Sequence, residues 1–360
     1  MKVIPGQVIS VFVALLYLGA FTPSVSAAEM AAPKVGLAYK FQMVNSDDGL
    51  NKDADADVPT TTLRTAALRI NFSGEGSPGF SYDVEIDGAN TGMTNTGIID
   101  HAELHFKRNN ATVTVGNPKG LVFGWRQKLD GPMDYTASAS AGQTPWGRAE
   151  ALQVAYGLGA NGKVTVQAAR DVVNCSTTGG VTSCAGYTTT ENSNTLALEW
   201  QGDFNGIMPL VQYATYDTNH SSTYSLGVRY LKGMADVRLD YITDNRWKRI
   251  DADNDGQDVR TGINLEGYLT FGVTEGFFHY STYNNKDYVV SGATEPEVNS
   301  AGTFDDNKTT LALGATWSGL GKSFKPFFVW VSESGQFTDK NGKDADFTEN
   351  SIKLGVKGTM

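Results

Sequence analysis

The chain has 360 residues and a formal net charge of −10, with 40 glycines, 11% aromatic residues and only 19% charged residues. A soluble domain usually has about 25% charged residues, and so acidic a chain is a poor partner for nucleic acid. Beyond the N-terminal segment, no apolar run is long enough for a membrane-spanning helix. This composition is typical of a membrane β-barrel, in which apolar residues alternate with polar ones along each strand.

Residues 1–27 have the features of a secretory signal. Lys2 provides a positive charge, residues 8–21 form an apolar segment, and small residues around Ala27 suit cleavage. The alternative is an uncleaved anchor helix, but the apolar run is short for a membrane span and Pro23 follows it. We therefore predict a cleaved signal peptide over 1–27 and a single barrel domain over 28–360.

Alternation with a period of two runs through most of the remaining sequence, and it predicts β-strands with one apolar face. In the first predicted strand, for example, Leu37, Tyr39 and Phe41 alternate with small or polar residues. The predicted strands in chain order are 34–44, 61–72, 80–87, 98–107, 111–116, 149–156, 164–170, 194–201, 207–216, 222–230, 235–242, 259–271, 277–281, 307–317, 325–332 and 350–360. The pattern is weakest in 98–116 and 207–216, so fourteen and eighteen strands are the alternatives to sixteen.

The connections between these strands alternate between short turns, such as 108–110, and long loops, the longest of which is 117–148. An even number of antiparallel strands with this alternation is typical of an outer-membrane barrel with short periplasmic turns and long extracellular loops. A barrel of sixteen strands leaves an aqueous channel. A soluble β-sandwich also alternates, but the charges in mid-strand favour a barrel with a hydrated interior.

A glycine-containing stretch, Val113 to Gly124, ends the fifth predicted strand and leads into the longest loop. In this arrangement and in its whole architecture, the chain resembles the Gram-negative general porins. The resemblance implies an up-and-down barrel in the outer membrane, in contact with lipopolysaccharide, whose third external loop folds into the lumen. It also implies a homotrimer and passive diffusion of small hydrophilic solutes and ions. One difference is that Met360 stands where these porins usually have an aromatic residue.

The resemblance implies a constriction at which charges face the passing solute, and such charges set ion preference. The loop residues expected there are Lys119, Arg126, Lys128, Asp130, Asp134 and Arg148. The facing barrel wall is expected to present Lys40, Arg69, Arg229, Arg238 and Arg260 against Asp83, Glu85, Glu103, Glu199, Asp236 and Glu266. The alternative for each of these residues is that it simply faces bulk water in the lumen. External loops 45–60 and 282–306 each have a net charge of −4, which favours cations at the entrance.

Cys175 and Cys184 are the only cysteines. An exported chain meets oxidising conditions, so we predict a disulfide within one loop, with two free thiols as the alternative. Asp251, Asp253 and Asp255 resemble the first half of a calcium-binding EF-hand loop, but the position of its bidentate glutamate holds Gly262. We therefore predict no metal site there, with weak divalent bridging to lipopolysaccharide as an alternative.

An enzymatic function has little support in the sequence. His101, Glu103 and His105 share one strand face, but alternate residues of a strand lie roughly 7 Å apart, and all three are predicted to face the lumen. We predict no catalytic residue and no cofactor. The leading function is a general diffusion channel. The alternatives are a phosphate- or anion-selective channel, with a basic ladder of Arg69, Arg126, Lys128 and Arg148, and a sealed structural or adhesive barrel.

Overall fold

The structure is a computed structural model that describes residues 33–47, 60–76, 78–87, 99–117, 123–130, 150–171, 175–178, 181–184, 193–216, 221–249, 255–289, 304–321, 323–338 and 344–359. The predicted signal peptide lies outside these residues. No helix in the described part of the chain is long and apolar enough to cross a membrane.

Sixteen antiparallel strands form one closed barrel, which confirms the predicted fold and strand number. Its strands are β1 (Lys34–Asp47), β2 (Thr60–Glu75), β3 (Phe80–Asp87), β4 (Ile99–Arg108), β5 (Ala111–Asn117), β6 (Glu150–Gly157), β7 (Lys163–Asp171), β10 (Ser193–Gln201), β11 (Ile207–Tyr216), β12 (Ser221–Lys232), β13 (Ala235–Arg249), β14 (Asp255–Phe271), β15 (Thr274–Val289), β16 (Phe304–Trp317), β17 (Lys325–Thr338) and β18 (Asp344–Thr359). A separate hairpin of β8 (Cys175–Thr178) and β9 (Val181–Cys184) lies within the predicted loop 171–193.

The barrel has an apolar outer surface and a largely polar inner surface. On β13, Leu239 is 45% exposed while the next residue, Asp240, is 0% exposed, and the same alternation recurs around the barrel. In a water-soluble barrel the apolar side chains would face inward. The outward apolar side chains therefore need a lipid environment, and closure of the sheet leaves no edge strand unpaired within it.

The short turns are built by residues that accept positive φ angles. Asn109 has a φ of 53°, and Gly233 and Gly272 each have a φ of 61°. Two-residue hairpin turns need such angles to match the twist of the flanking strands. These turns set the register of the hairpins, and they explain why the strand ends beside short turns agree closely with the sequence prediction.

At the opposite end of the barrel, several strands continue beyond their predicted ends. β13 ends at Arg249 rather than at 242, β15 at Val289 rather than at 281, and β17 at Thr338 rather than at 332. Backbone pairing continues there through polar sequence such as Asp244–Arg249, in which apolar alternation has stopped. Because the prediction followed apolar alternation, it detected only the part of each strand with an apolar face.

The barrel closes where β1 pairs with β18, in register from Ala38 opposite Thr359 to Asp47 opposite Asn350. Residues that are paired across strands share one face of the sheet. Lys40 lies opposite Lys357 in this register, and both side chains therefore face the lumen. We refer to the junction of β1 and β18 as the seam.

Candidate functional site

A short helix, α1 (Gly124–Asp130), lies inside the barrel against the inner faces of β11, β12 and β13. It belongs to the long loop that follows β5. Phe123, Trp125 and Arg126 are 0%, 2% and 3% exposed, so this part of the loop is packed against the wall rather than surrounded by solvent. The contacts of α1 with the wall define the candidate site.

The first turn of α1 is held by polar side chains of the wall. Asp240 of β13 accepts hydrogen bonds from the backbone N–H groups of Trp125, at 2.8 Å, and Arg126, at 3.0 Å. Gln212 of β11 accepts another from the N–H of Gly124, at 2.8 Å. The first N–H groups of a helix have no partner within the helix and favour negative charge. Asp240 therefore acts as an N-terminal cap from another part of the chain.

Gly124 is required by this geometry. Its φ of +82° is strained for any residue with a side chain. A Cβ atom at this position would also lie 2.9 Å from Cγ of Asp240. The glycine thus lets the backbone approach the carboxylate closely enough to donate hydrogen bonds to it.

An apolar seat on the inner wall receives the aromatic side chains. Phe123 packs with Ile242, Ala197 and Ala214, which all face inward. The indole N–H of Trp125 donates to the backbone carbonyl of Met208, at 2.9 Å. Trp125 also lies against Gly227, where an added Cβ would be only 3.1 Å from the indole ring. Apolar burial and hydrogen bonding therefore act together to place the helix.

The charged side chains of α1 also point to the wall. The Arg126 Nε atom lies 3.3 Å from Glu266 Oε1, and the Lys128 Nζ atom lies 2.5 Å from Glu199 Oε2. Burial lowers the pKa of the Lys128 ammonium from its usual 10.5, while the charge of Glu199 and its hydrogen bond to Lys128 act in the opposite direction. Gln212 donates a further hydrogen bond to Glu199, at 2.8 Å.

Ion pairs extend this network along the wall. Arg238 lies 3.0 Å from Glu266 and 2.8 Å from Asp236, and Arg229 lies 2.8 Å from Asp236. The guanidinium of Arg229 also lies 5.8 Å from the ring centroid of Trp125. Cations and anions alternate along this part of the wall, so the sector that contacts α1 is close to electrically balanced.

The structure changes the roles expected for the loop charges. Arg126 and Lys128 were expected to face the passing solute, but their described ion pairs are with the wall. They anchor the loop because the inward acidic residues of β10 and β14 lie next to the helix. Asp130 is the last residue of α1, and its side chain lies outside the description. Lys119, Asp134 and Arg148 lie outside the described residues.

The expected wall residues fall into two groups. Arg229 and Arg238 lie on the inner wall beside the loop helix, on β12 and β13, the strands that contact α1. Lys40 and Arg69 are on β1 and β2, which lie across the barrel from α1.

The side of the barrel opposite α1 also contains the predicted acidic wall residues of β3 and β4, which are Asp83, Glu85 and Glu103. Arg69 pairs with Glu85, and Asp83 accepts a hydrogen bond from Asn71 at 2.6 Å. Glu103 lies 3.4 Å from His105. The side chain of Arg260, on β14, lies outside the description.

The remaining predicted features are the two cysteines and the acidic segment that resembles an EF-hand loop. Cys175 and Cys184 are directly opposite each other in the β8–β9 register, and the disulfide itself stays a prediction. Among the described residues, no three His, Cys, Asp or Glu side chains are grouped as metal ligands would be. Asp255 and Gly256 pair with Arg249 and Lys248 in a strand ladder.

The sequence analysis missed the residues that seat the helix, above all Asp240, Gln212 and Trp125. The sequence did contain one pattern that indicates a docking position on the inner wall. Ile242 is an apolar residue on the inward face of β13, between Asp240 and Asp244, and such a position is where a wall can receive an apolar group from inside the barrel.

Comparison with known proteins identifies relatives by structure alone. No protein-family model matches the sequence, and no curated protein matches it. The outer-membrane channel DcaP of Acinetobacter baumannii is similar over 93% of this chain and 100% of its own, with 14% identity and a TM-score of 0.61. OmpT, an outer membrane protein of Vibrio cholerae solved in trimer form, is similar over 92% and 100%, with 12% identity and a TM-score of 0.57.

A mutant of the Rh. blastica porin is similar over 91% of this chain and 100% of its own, with 15% identity and a TM-score of 0.52. Such low identities establish a shared fold and nothing finer. The apolar outer surface fits the Gram-negative outer membrane in which these barrels reside. With its closed ring of sixteen antiparallel strands, this chain has the fold of the outer-membrane porins.

Proposed function

We propose that the protein is a water-filled channel through which small hydrophilic solutes and ions diffuse passively across the outer membrane. The observation that carries the proposal is the inverted surface of a sixteen-stranded barrel, apolar outside and lined by polar and charged residues inside. A ring of this strand number is wide enough for an aqueous channel. Fixed charges along such a channel act on solutes at short range.

We further propose that loop 117–148 and the facing wall form a charged constriction. Support comes from α1, which occupies one sector of the ring and is held there by Asp240, Glu199 and Glu266. The charges around α1 are paired with one another, and on the opposite wall Arg69 is paired with Glu85. That wall includes Lys40 and Arg69.

A homotrimer in contact with lipopolysaccharide is also part of this proposal, and the trimer form of the OmpT structure supports it by analogy. We propose no enzymatic activity. The other candidates are an anion-selective channel and a sealed structural or adhesive barrel.

Planar-bilayer recording of the purified protein tests these functions. We expect discrete steps of ionic current, and their absence from correctly folded protein would favour a sealed barrel. Removing residues within 131–142 should raise the single-channel conductance, whereas an equally long deletion within the external loop 290–300 serves as the control. Unchanged conductance after the first deletion would contradict the constriction. Block of the current by millimolar phosphate would favour the anion-selective alternative.

A further inference from the structure

Five of the seven short turns carry large, exposed apolar side chains. They are the connections β6–β7, β10–β11, β12–β13, β14–β15 and β16–β17, which follow one another around the ring. In or within two residues of these turns lie Leu158, Phe204, Leu231, Met234, Phe271, Val273, Leu320 and Phe324, which we call the apolar rim. Met234, Phe271 and Leu320 are 61%, 59% and 57% exposed, more than the lipid-facing Leu226 in the middle of β12, at 54%.

The other two short turns are polar and are neighbours in the ring. The β2–β3 turn contains Glu75, and the β4–β5 turn follows residues Lys107 and Arg108 with two asparagines. Among the described residues, no exposed large apolar side chain lies in either turn or within two residues of it. The junction of β3 with β4 lies eight strands, or half the ring, from the junction of β13 with β14. The polar turns are therefore directly opposite the turns that contain Met234 and Val273.

The apolar rim continues the lipid-facing surface of the barrel. Phe271 ends β14 on the same face as the lipid-facing residue Leu269. Phe324 precedes β17 in phase with the lipid-facing residue Phe328. Because the two surfaces are continuous, the medium that covers the strands is the natural medium for the rim.

The lipid-facing surface ends earlier beside the polar turns. On β4, the outward residues Leu104 and Phe106 are exposed, and the next residue on the same face is Arg108. An arginine at the end of an apolar strand can keep its charge in water or among the headgroups while its stem covers apolar surface. The two sides of the barrel therefore present different boundaries at the short-turn end.

The backbone of the turns limits how deep the rim can lie. Gly233 and Gly272 have no heavy atom beyond their chain neighbours within 4 Å of an added Cβ atom, so no other described group covers these turn tips. Backbone polar groups without partners are not tolerated in the hydrocarbon core. A contiguous apolar patch in water is also unusual unless it marks an interaction surface. The boundary between headgroups and acyl chains suits both parts, since it offers water to the backbone and an apolar phase to the side chains.

We propose that the apolar rim inserts at the boundary between the headgroups and acyl chains of the phospholipid leaflet on the short-turn side. The β2–β3 and β4–β5 turns stay in water. The barrel is then tilted in the membrane, with the junction of β13 and β14 deeper than the junction of β3 and β4. This interaction depends on the lipid-facing surface alone and not on the proposed channel function.

Site-directed spin labelling of the mature protein in phosphatidylcholine vesicles tests this insertion. Labels are attached at M234C and V273C in the apolar rim, and at E75C and N110C in the polar turns as matched controls. Oxygen concentrates among acyl chains and a nickel chelate stays in water, so their relative effects on the relaxation of the label report its depth. Oxygen should relax the labels faster at M234C and V273C, and the nickel chelate should do so at E75C and N110C. The vesicles carry no net charge, which removes attraction of lysines to anionic lipid as a cause.

Two results would overturn the proposal. Faster relaxation by nickel at M234C and V273C would place the rim in water, where it could instead receive a periplasmic protein. Faster relaxation by oxygen at all four positions would show even immersion without tilt. Both native cysteines are replaced by serine so that only the introduced residue is labelled. Circular dichroism verifies folding, and L231C reports on the same turn if M234C does not fold. The measurement needs no ionic current, so a sealed barrel would give the same result as a channel.

Discussion

Replacement of Asp240 by Asn should release α1 from the barrel wall. The two carboxylate oxygens of Asp240 each accept a hydrogen bond from a backbone N–H, of Trp125 and of Arg126. An asparagine has one accepting oxygen, so one of the two N–H groups would face an NH2 group that is itself a donor. The side chain keeps its size, and the change is therefore confined to charge and hydrogen bonding.

The size of the effect follows from these two contacts. A hydrogen bond to a charged group contributes about 1.5–3 kcal/mol, and a buried N–H left without an acceptor costs about 1–3 kcal/mol. We therefore expect D240N to weaken the docking of α1 by about 3 kcal/mol. This corresponds to a rise of roughly 150-fold in the ratio of undocked to docked helix.

Single-channel recording measures the result. Wild-type channels should show steady current, whereas D240N should fluctuate between levels as the loop moves. The control is D244N, which removes the same charge from the same face of β13, where Asp244 accepts a hydrogen bond from the Thr223 hydroxyl at 2.7 Å. If folded D240N conducts as steadily as wild type and D244N, the carboxylate does not hold the loop, and the assignment of Asp240 is wrong.

Three further results are expected. G124A should also increase current fluctuation, by about tenfold in the docking ratio, because a Cβ would meet Asp240 and the positive φ costs about 1–2 kcal/mol. W125A should undock the helix and raise the mean conductance, since it removes a buried indole, while W317A, at a lipid-facing position, should leave the current unchanged. If Cys175 and Cys184 form the predicted disulfide, neither cysteine should react with an alkylating reagent until a reductant is added. Alkylation of the folded protein without reductant would disprove the disulfide.

The fold was largely predictable because each membrane-spanning strand carries an apolar residue at every second position, where its side chain faces the lipid. Phe80–Asp87 and Ile207–Tyr216 have the same ends in the prediction and in the structure. The ends of β13 and β15 at the long-loop end of the barrel were not predictable in the same way. Beyond the lipid-facing band, a strand needs only backbone hydrogen-bond partners. A sequence with polar residues on both faces of such a strand looks like the sequence of a loop.

The site was harder to predict than the fold. Alternation identifies Arg238 and Glu266 as inward residues, but it does not say which strands lie beside α1 and which lie across the ring. That information depends on where one loop docks, and docking depends on single contacts such as that between Trp125 and Gly227. Inward Ile242, which interrupts a polar face, was the one local sign of the seat.

The seam has a consequence for how the barrel forms. Most pairings in the ring join strands that are consecutive in sequence. The pairing of β1 with β18 is different, because Ala38 and Thr359 are separated by nearly the whole chain. Contacts of such separation form late, because the entropy of closing so long a loop must be overcome before they contribute. Until then β1 and β18 have open edges that can pair with other chains.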